Sequence, residues 1–299
     1  MRQLFVHIVV ASFVGTLLTS SVMAAKIKHL DSLYFDNAEL ALKNPEGVAC
    51  DDDSIIVADT GNNRIVLYSM TNQSLLPKAV FPLDKISPII VQISSKGDVF
   101  VLDGRSRSIV KIGQNGQVLG KIQPKGLPGS KTFIPRSFKL DKEDNIYVLD
   151  IFSERVLVLD ATEKFVKQVP FPMGYKSFSD LAISPQGQLY ILDGAGGVIY
   201  VANSGMDSFD VLSSDLKEHM NFPTSLALDS HGIIYLSDQY GSGLALVGRD
   251  GSFLGRKFGM GWENGQFYYP AQICINDQNV LAVADRNNSR VQVFSILEE

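Results

Sequence analysis

A sixfold repeat constrains this chain more than any other feature. Apolar runs ending in aspartate recur at Ile55–Asp59, Val99–Asp103, Ile146–Asp150, Leu189–Asp193, Ile233–Asp238 and Val280–Asp285, and the aspartates lie 44, 47, 43, 45 and 47 residues apart. A period near 45 residues means that one supersecondary unit is copied along the chain and buries its faces against its neighbours. Within each copy a short apolar strand comes first, as at Gly47–Cys50, Ile90–Ile93, Ser137–Leu140, Asp180–Ile183, Ser225–Leu228 and Gln272–Ile275. A polar hairpin turn, the Asp-terminated strand, a short loop and a third strand such as Val156–Leu159 follow. A weaker fourth strand closes the unit at Lys78–Phe81, Gln117–Gly120, Phe165–Gln168, Ser208–Val211 and Phe253–Arg256. Four short strands rich in Val, Ile and Tyr, separated by turn residues, make one propeller blade. With 299 residues and 45% hydrophobic content the chain can bury a sizeable core, which excludes disorder.

The sixth copy ends at Val291–Phe294 and lacks a fourth strand, while a spare strand precedes the first copy at Ile27–Tyr34. The expectation is an all-β, six-bladed β-propeller over residues 25–299, closed by the N-terminal strand pairing into the last blade. That pairing would remove an exposed sheet edge. An open solenoid is the alternative.

The segments Asn44-Pro-Glu-Gly-Val-Ala-Cys-Asp51 and Ile56-Val-Ala-Asp-Thr-Gly-Asn-Asn-Arg-Ile65 resemble a near-consensus NHL repeat. Val283-Ala-Asp-Arg-Asn-Asn-Ser-Arg-Val-Gln-Val-Phe294 is similarly close, and Phe258–Phe267 resembles the family's linker before a new repeat. The resemblance implies the propeller fold for nearly the whole chain after residue 24. It says little about activity, because NHL propellers include scaffolds, ligand-sensing domains and a few enzymes. Exported bacterial members are tied to envelope or extracellular assemblies.

Residues 1–24 read as a secretory signal peptide: Arg2, an apolar run from Leu4 to Leu18, then small residues with a cut after Ala24. The run is short for the roughly 20 residues of a spanning helix, and no later segment approaches that length. The expected location is periplasmic or extracellular, as a monomer with no membrane span in the mature chain. A net charge of −5 and a pI near 5.4 exclude a general nucleic-acid binder, which would be basic. Cys50 and Cys274 fall on the first strands of the first and last blades. They are expected as buried free thiols, because innermost strands of adjacent blades can lie too far apart for a disulfide. A disulfide across the seam is the alternative that an exported protein permits.

Family resemblance implies an Arg five residues after each repeat Asp. It is present as Asp59/Arg64, Asp150/Arg155 and Asp285/Arg290, where a charge-assisted hydrogen bond would brace the loop after the second strand. In blade two Arg105 or Arg107 is expected to compensate. Asp193 and Asp238 in blades four and five have no nearby Arg in sequence. With Asp180 they form a candidate acidic site for a cation such as a weakly bound calcium, the one exception to an expectation of no cofactor. The alternative is that backbone amides of the Gly-rich loops satisfy them.

The loops after the second strands share one face with the approaches to the first strands. Ile151 and Phe152 put a large apolar pair on a loop that is polar in other blades, and Tyr240 is a milder case. Arg105, Arg107 and Arg136 add positive charge on blades two and three. A face with an aromatic anchor and divided charge suits a protein or peptide partner. Phe152 tucked against Phe133 or Phe138 is the competing reading. Lys139 and Gln92 are the polar residues at the middle of the channel-lining first strands, where a lysine could hold an anion or, as is commoner, snorkel to channel water. A related amidating lyase holds zinc with three channel histidines, but His29, His219 and His231 fall on the fastening strand, a connector and a hairpin turn. The gluconolactonase and paraoxonase propellers hold calcium with a Glu, Asn and Asp set in the channel; Glu46 sits at a first-strand entry, but no matching Asn set recurs at the other entries. The expectation is a non-catalytic scaffold docking a partner on the loop rim, and the alternative is a metal-dependent lyase or hydrolase.

Overall fold

The computed structural model describes residues 26–71, 74–129 and 132–297. The signal peptide expected over residues 1–24 lies outside them. Alternating β-branched and aromatic residues in short runs, cut by Gly, Asn and Asp turns, fold as six four-stranded antiparallel sheets in a six-bladed propeller. Blade one consists of Gly47–Cys50, Ser54–Asp59, Arg64–Thr71 and Ser74–Pro82. Blade two runs from Pro88–Ile93 to Val118–Lys121, and blade three from Pro135–Leu140 to Phe165–Pro170. Blade four runs from Phe178–Ile183 to Asp210–Ser213, and blade five from Pro223–Leu228 to Phe253–Lys257. Blade six takes Pro270–Ile275, Val280–Asp285 and Arg290–Leu297 from the end of the chain, with Lys26–Leu33 as its outermost strand. That N-terminal strand lies antiparallel to the last one, from Lys26 opposite Leu297 to Leu33 opposite Val291.

The core is a set of wedges between blades rather than one central mass. Val48, Val57 and Val66 of blade one meet Ala282, Val291 and Val293 of blade six. Leu102 and Ile109 of blade two meet Phe138 and Val148 of blade three in the same way. Both faces of a blade are covered, so the second strands are buried along almost their whole length, and each fully buried aliphatic side chain contributes roughly 1.5–3 kcal/mol.

Cys50 and Cys274 are joined in a disulfide with their Cα atoms 6.0 Å apart, which corrects the expectation of free thiols. First strands converge on the axis, so neighbouring blades approach one another most closely there. The separation falls inside the roughly 4.4–6.8 Å range that a disulfide spans. At the hairpin end of the axis, Lys142 of blade three reaches Asp277 of blade six, opposite it in the ring, at 2.7 Å. No helix among the described residues is long and apolar enough to cross a membrane.

The disulfide closes a separation of 224 residues across the seam between the first and last blades. Reducing it, or replacing both cysteines with serine, lowers the unfolding free energy by about 2–4 kcal/mol. Urea melts with and without reductant measure this, and an unchanged midpoint would contradict it.

Candidate functional site

The face at the aspartate ends of the second strands is organised by six buried carboxylates. Asp59, Asp103, Asp150, Asp193, Asp238 and Asp285 are each at most 3% exposed. Each accepts a backbone N–H from the segment approaching its blade's first strand: Lys43, Ser87, Ile134, Ser177, Phe222 and Tyr268 respectively, at 2.6–2.9 Å. Each also accepts a donor from the residue three positions on. That donor is a side chain in Asn62, Ser106 and Asn288, and a backbone N–H in Ser153, Gly196 and Gly241. The carboxylate therefore clasps the loop after the second strand to the approach of the first.

The expected Arg partners sit on three of these clasps, at 2.6 Å for Arg64, 3.1 Å for Arg155 and 2.8 Å for Arg290. In blade two the extra donor is the Ser106 hydroxyl at 2.5 Å, and the Arg105 side chain reaches Asn63 instead. Neither Arg105 nor Arg107 donates a side-chain hydrogen bond to Asp103, so the compensation expected of them is corrected. Asp238 does have an arginine, Arg256 from the fourth strand, at 2.6 Å, which corrects its reading as unpaired. Asp193 is held by the amides of Lys176, Ser177 and Gly196 at 2.7–2.9 Å. A Cβ on Gly196 would lie 2.2 Å from Asp193 Oδ2, and one on Gly241 would lie 2.0 Å from Asp238 Oδ2, so glycine lets the backbone close on the carboxylate. Asp180 accepts the hydroxyls of Ser137 and Ser225 at 2.5 and 2.7 Å and the Leu226 amide at 3.1 Å, stitching blades three, four and five around the axis. Gln272 does the same for blades six, one and two by accepting the amides of Val48 and Val91. The three aspartates of the expected cation site thus have other partners. Among the described residues no three His, Cys, Asp or Glu side chains gather as metal ligands. His29 bonds Ser32, and His219 stacks on Phe253.

Above Asp180 and Gln272 a cavity of ≈ 140 Å³ opens at the channel mouth. Its ring is built from one equivalent position per blade: Glu46, Ile89, Arg136, Ser179, Thr224 and Ala271. In blades two to six these residues occupy the register shift at the start of the first strand, where one bulged residue is turned away from the ladder. Lys139 and Gln92 lie further along the strands and do not line this cavity. Burial raises the Glu46 carboxyl above its ordinary value, with Arg286, 3.2 Å away, and Arg136 offsetting part of the effect. Burial lowers the Arg136 guanidinium, and the nearby charge of Arg107 adds to the shift.

Around the mouth, Ile151 is 42%, Phe152 52% and Tyr240 53% exposed, so Phe152 is not tucked into the cluster that holds Phe133 and Phe138. Tyr240 packs beside Phe222 and Tyr269, with ring centroids 5.3 and 5.5 Å apart. Phe222 is also a wall of the cavity. Met260 and Trp262, on the connector between blades five and six, are more exposed still at 63% and 75%. Sequence reasoning passed over them as linker, although an isolated Trp on a polar loop was a signal.

This architecture is that of a six-bladed β-propeller. The chain carries NHL repeats, matched at residues 42–68 and 267–294. No curated protein matches it. Among solved structures it resembles a gluconolactonase from Xanthomonas campestris, at 14% identity over 91% of this chain and 90% of that one, with a TM-score of 0.67. It also resembles virginiamycin B lyase from Staphylococcus aureus, at 13% identity over 92% and 100% with a TM-score of 0.60. Hydrazine synthase from Kuenenia stuttgartiensis is similar at 13% identity over 85% and 84%, with a TM-score of 0.57. At these identities the likeness is one of fold.

Two outcomes test the clasp. Gly196→Ala destabilises the protein by about 1–3 kcal/mol in urea melts, because the methyl group displaces the loop from Asp193; a neutral result contradicts the packing. Burial pushes the Asp103 carboxyl up, but the Ser106 hydroxyl and the amides of Ser87, Arg105 and Ser106 outweigh it and hold it below its ordinary value. Its stabilisation is therefore present above the unfolded carboxylate value near ~3.9 and is lost as pH falls through the lower folded value. Asp103→Asn flattens the fall of stability below about pH 4, whereas a parallel curve contradicts this reading.

Proposed function

We propose that this protein is an exported, non-catalytic interaction scaffold that docks a protein or peptide partner on the rim around its channel mouth. The observation that carries the reading is the exposed Tyr240 of blade five, beside Phe222 and Tyr269, together with the exposed Ile151 and Phe152 on the equivalent loop of blade three. Exposed aromatic side chains on a rigid support are the side chains that anchor protein interfaces, and charged residues around them supply register. Arg105 and Arg136 belong to blades two and three, and the exposed Met260 and Trp262 add apolar surface on the connector between blades five and six. Export is supported by the N-terminal pattern and by the Cys50–Cys274 disulfide, which an oxidising compartment maintains. Partners in an envelope or extracellular assembly fit that location.

The second reading, a metal-dependent lyase or hydrolase working in the channel, draws on the cavity itself and on the lyase and gluconolactonase folds that the chain resembles. Stoichiometric metal in the purified protein, lost together with a hydrolytic or lyase activity in Glu46→Gln, would favour it.

Co-purification from the native exported fraction separates the two. Phe152→Ala together with Tyr240→Ala is expected to lower recovery of the partner at least tenfold while thermal stability is retained. Unchanged recovery contradicts the rim reading.

A further inference from the structure

Arg136 stands apart from every other buried or half-buried arginine on this face. Arg64, Arg155, Arg256, Arg286 and Arg290 all hold a carboxylate within 3.2 Å. Among the described residues the half-buried guanidinium of Arg136 has no hydrogen-bond or ion-pair partner, although Glu46 and Asp180 line the same cavity. The neighbouring Arg107 side chain is likewise unpaired and lies close enough for its charge to act on Arg136. Glu46 is engaged by Arg286, and Asp180 by two hydroxyls and an amide. A guanidinium whose donors have no direct partner, with the charges of Asp180 and Glu46 acting on it on one side and that of Arg107 on the other, in a cavity with Ile89, Ile90 and Phe222 among its walls, is a receptor for an anion with an apolar body.

We infer that the channel mouth binds a monocarboxylate, with the planar fork of Arg136 taking both carboxylate oxygens and the apolar tail lying against Ile89 and Phe222. The two fixed carboxylates nearby select the anion. They tolerate a single negative charge spread over a fork and oppose a phosphate that carries more. The site does not depend on the rim reading, because the group can come from a free small molecule or from an acidic side chain or chain end of a docked partner.

Calorimetric titration of the full mature chain with acetate, isovalerate and inorganic phosphate tests the proposal. Isovalerate is expected to bind saturably and at least fivefold tighter than acetate, and phosphate not measurably. Arg136→Gln is expected to weaken isovalerate at least tenfold, with an unchanged melting curve. Arg136→Lys keeps the charge, loses the fork, weakens binding by a smaller factor, and carries the test if the glutamine variant fails to fold. A short peptide ending in Val with a free carboxylate, compared with its amide, separates the sources. If the group belongs to a partner, the free-acid peptide binds tighter than isovalerate and loses that excess in Phe152→Ala. If it belongs to a small molecule, the peptide binds no tighter and Phe152→Ala has no effect. No saturable isovalerate binding, tighter binding of phosphate, or wild-type affinity in Arg136→Gln would each overturn the assignment.

Discussion

One end of the propeller depends on one repeated interaction, a buried aspartate at the end of each blade's second strand that accepts a backbone amide from the approach to the first. The partner amide lies 16 residues upstream in five blades and 17 in the sixth. A buried carboxylate without such donors would be costly, so each clasp must form for its blade to pack. Because the clasp fixes both loops of a blade at one end, the rim of that end is a rigid support for whatever its side chains contact. Arginine is one of several ways to complete it; a serine hydroxyl serves in blade two and glycine amides in blades four and five.

Most of the fold was legible from residues because the period near 45, the terminal Asp and the alternation of apolar side chains all report the same four-strand unit. The role of the Asp was half legible. The family pattern drew attention to the Arg five residues on, while the donor three residues on, present in every blade as Asn, Ser or Gly, carried the more constant signal. The disulfide was not legible, since the 6.0 Å approach of Cys50 and Cys274 follows from how tightly the first strands converge. No single-strand pattern reports that distance.

The site shows the same division. Phe152 and Tyr240 stood out because their equivalents in other blades are polar or small, and both are exposed. The position that lines the mouth cavity was not picked out. Strict alternation draws attention to Gln92 and Lys139 further along the strand, whereas in blades two to six a register shift at the start of the first strand sets aside another position, and Ile89, Arg136, Ser179 and Thr224 there join Glu46 of blade one in one ring. A one-residue bulge moves a side chain to another face without altering the hydrophobic pattern on either side of it. The aspartates of blades four and five looked unpaired because their partners are backbone amides and an arginine 18 residues away on the fourth strand.

The central claim is that the aspartate end of the propeller is its working face. Chemical cross-linking of the native exported fraction, read by mass spectrometry, tests it most directly, because exposed lysines mark both ends: Lys43, Lys176 and Lys217 beside the clasps, Lys96 and Lys142 at the hairpin turns. The account predicts that cross-links to a partner concentrate on the first three. Cross-links concentrated on Lys96 and Lys142 would contradict it.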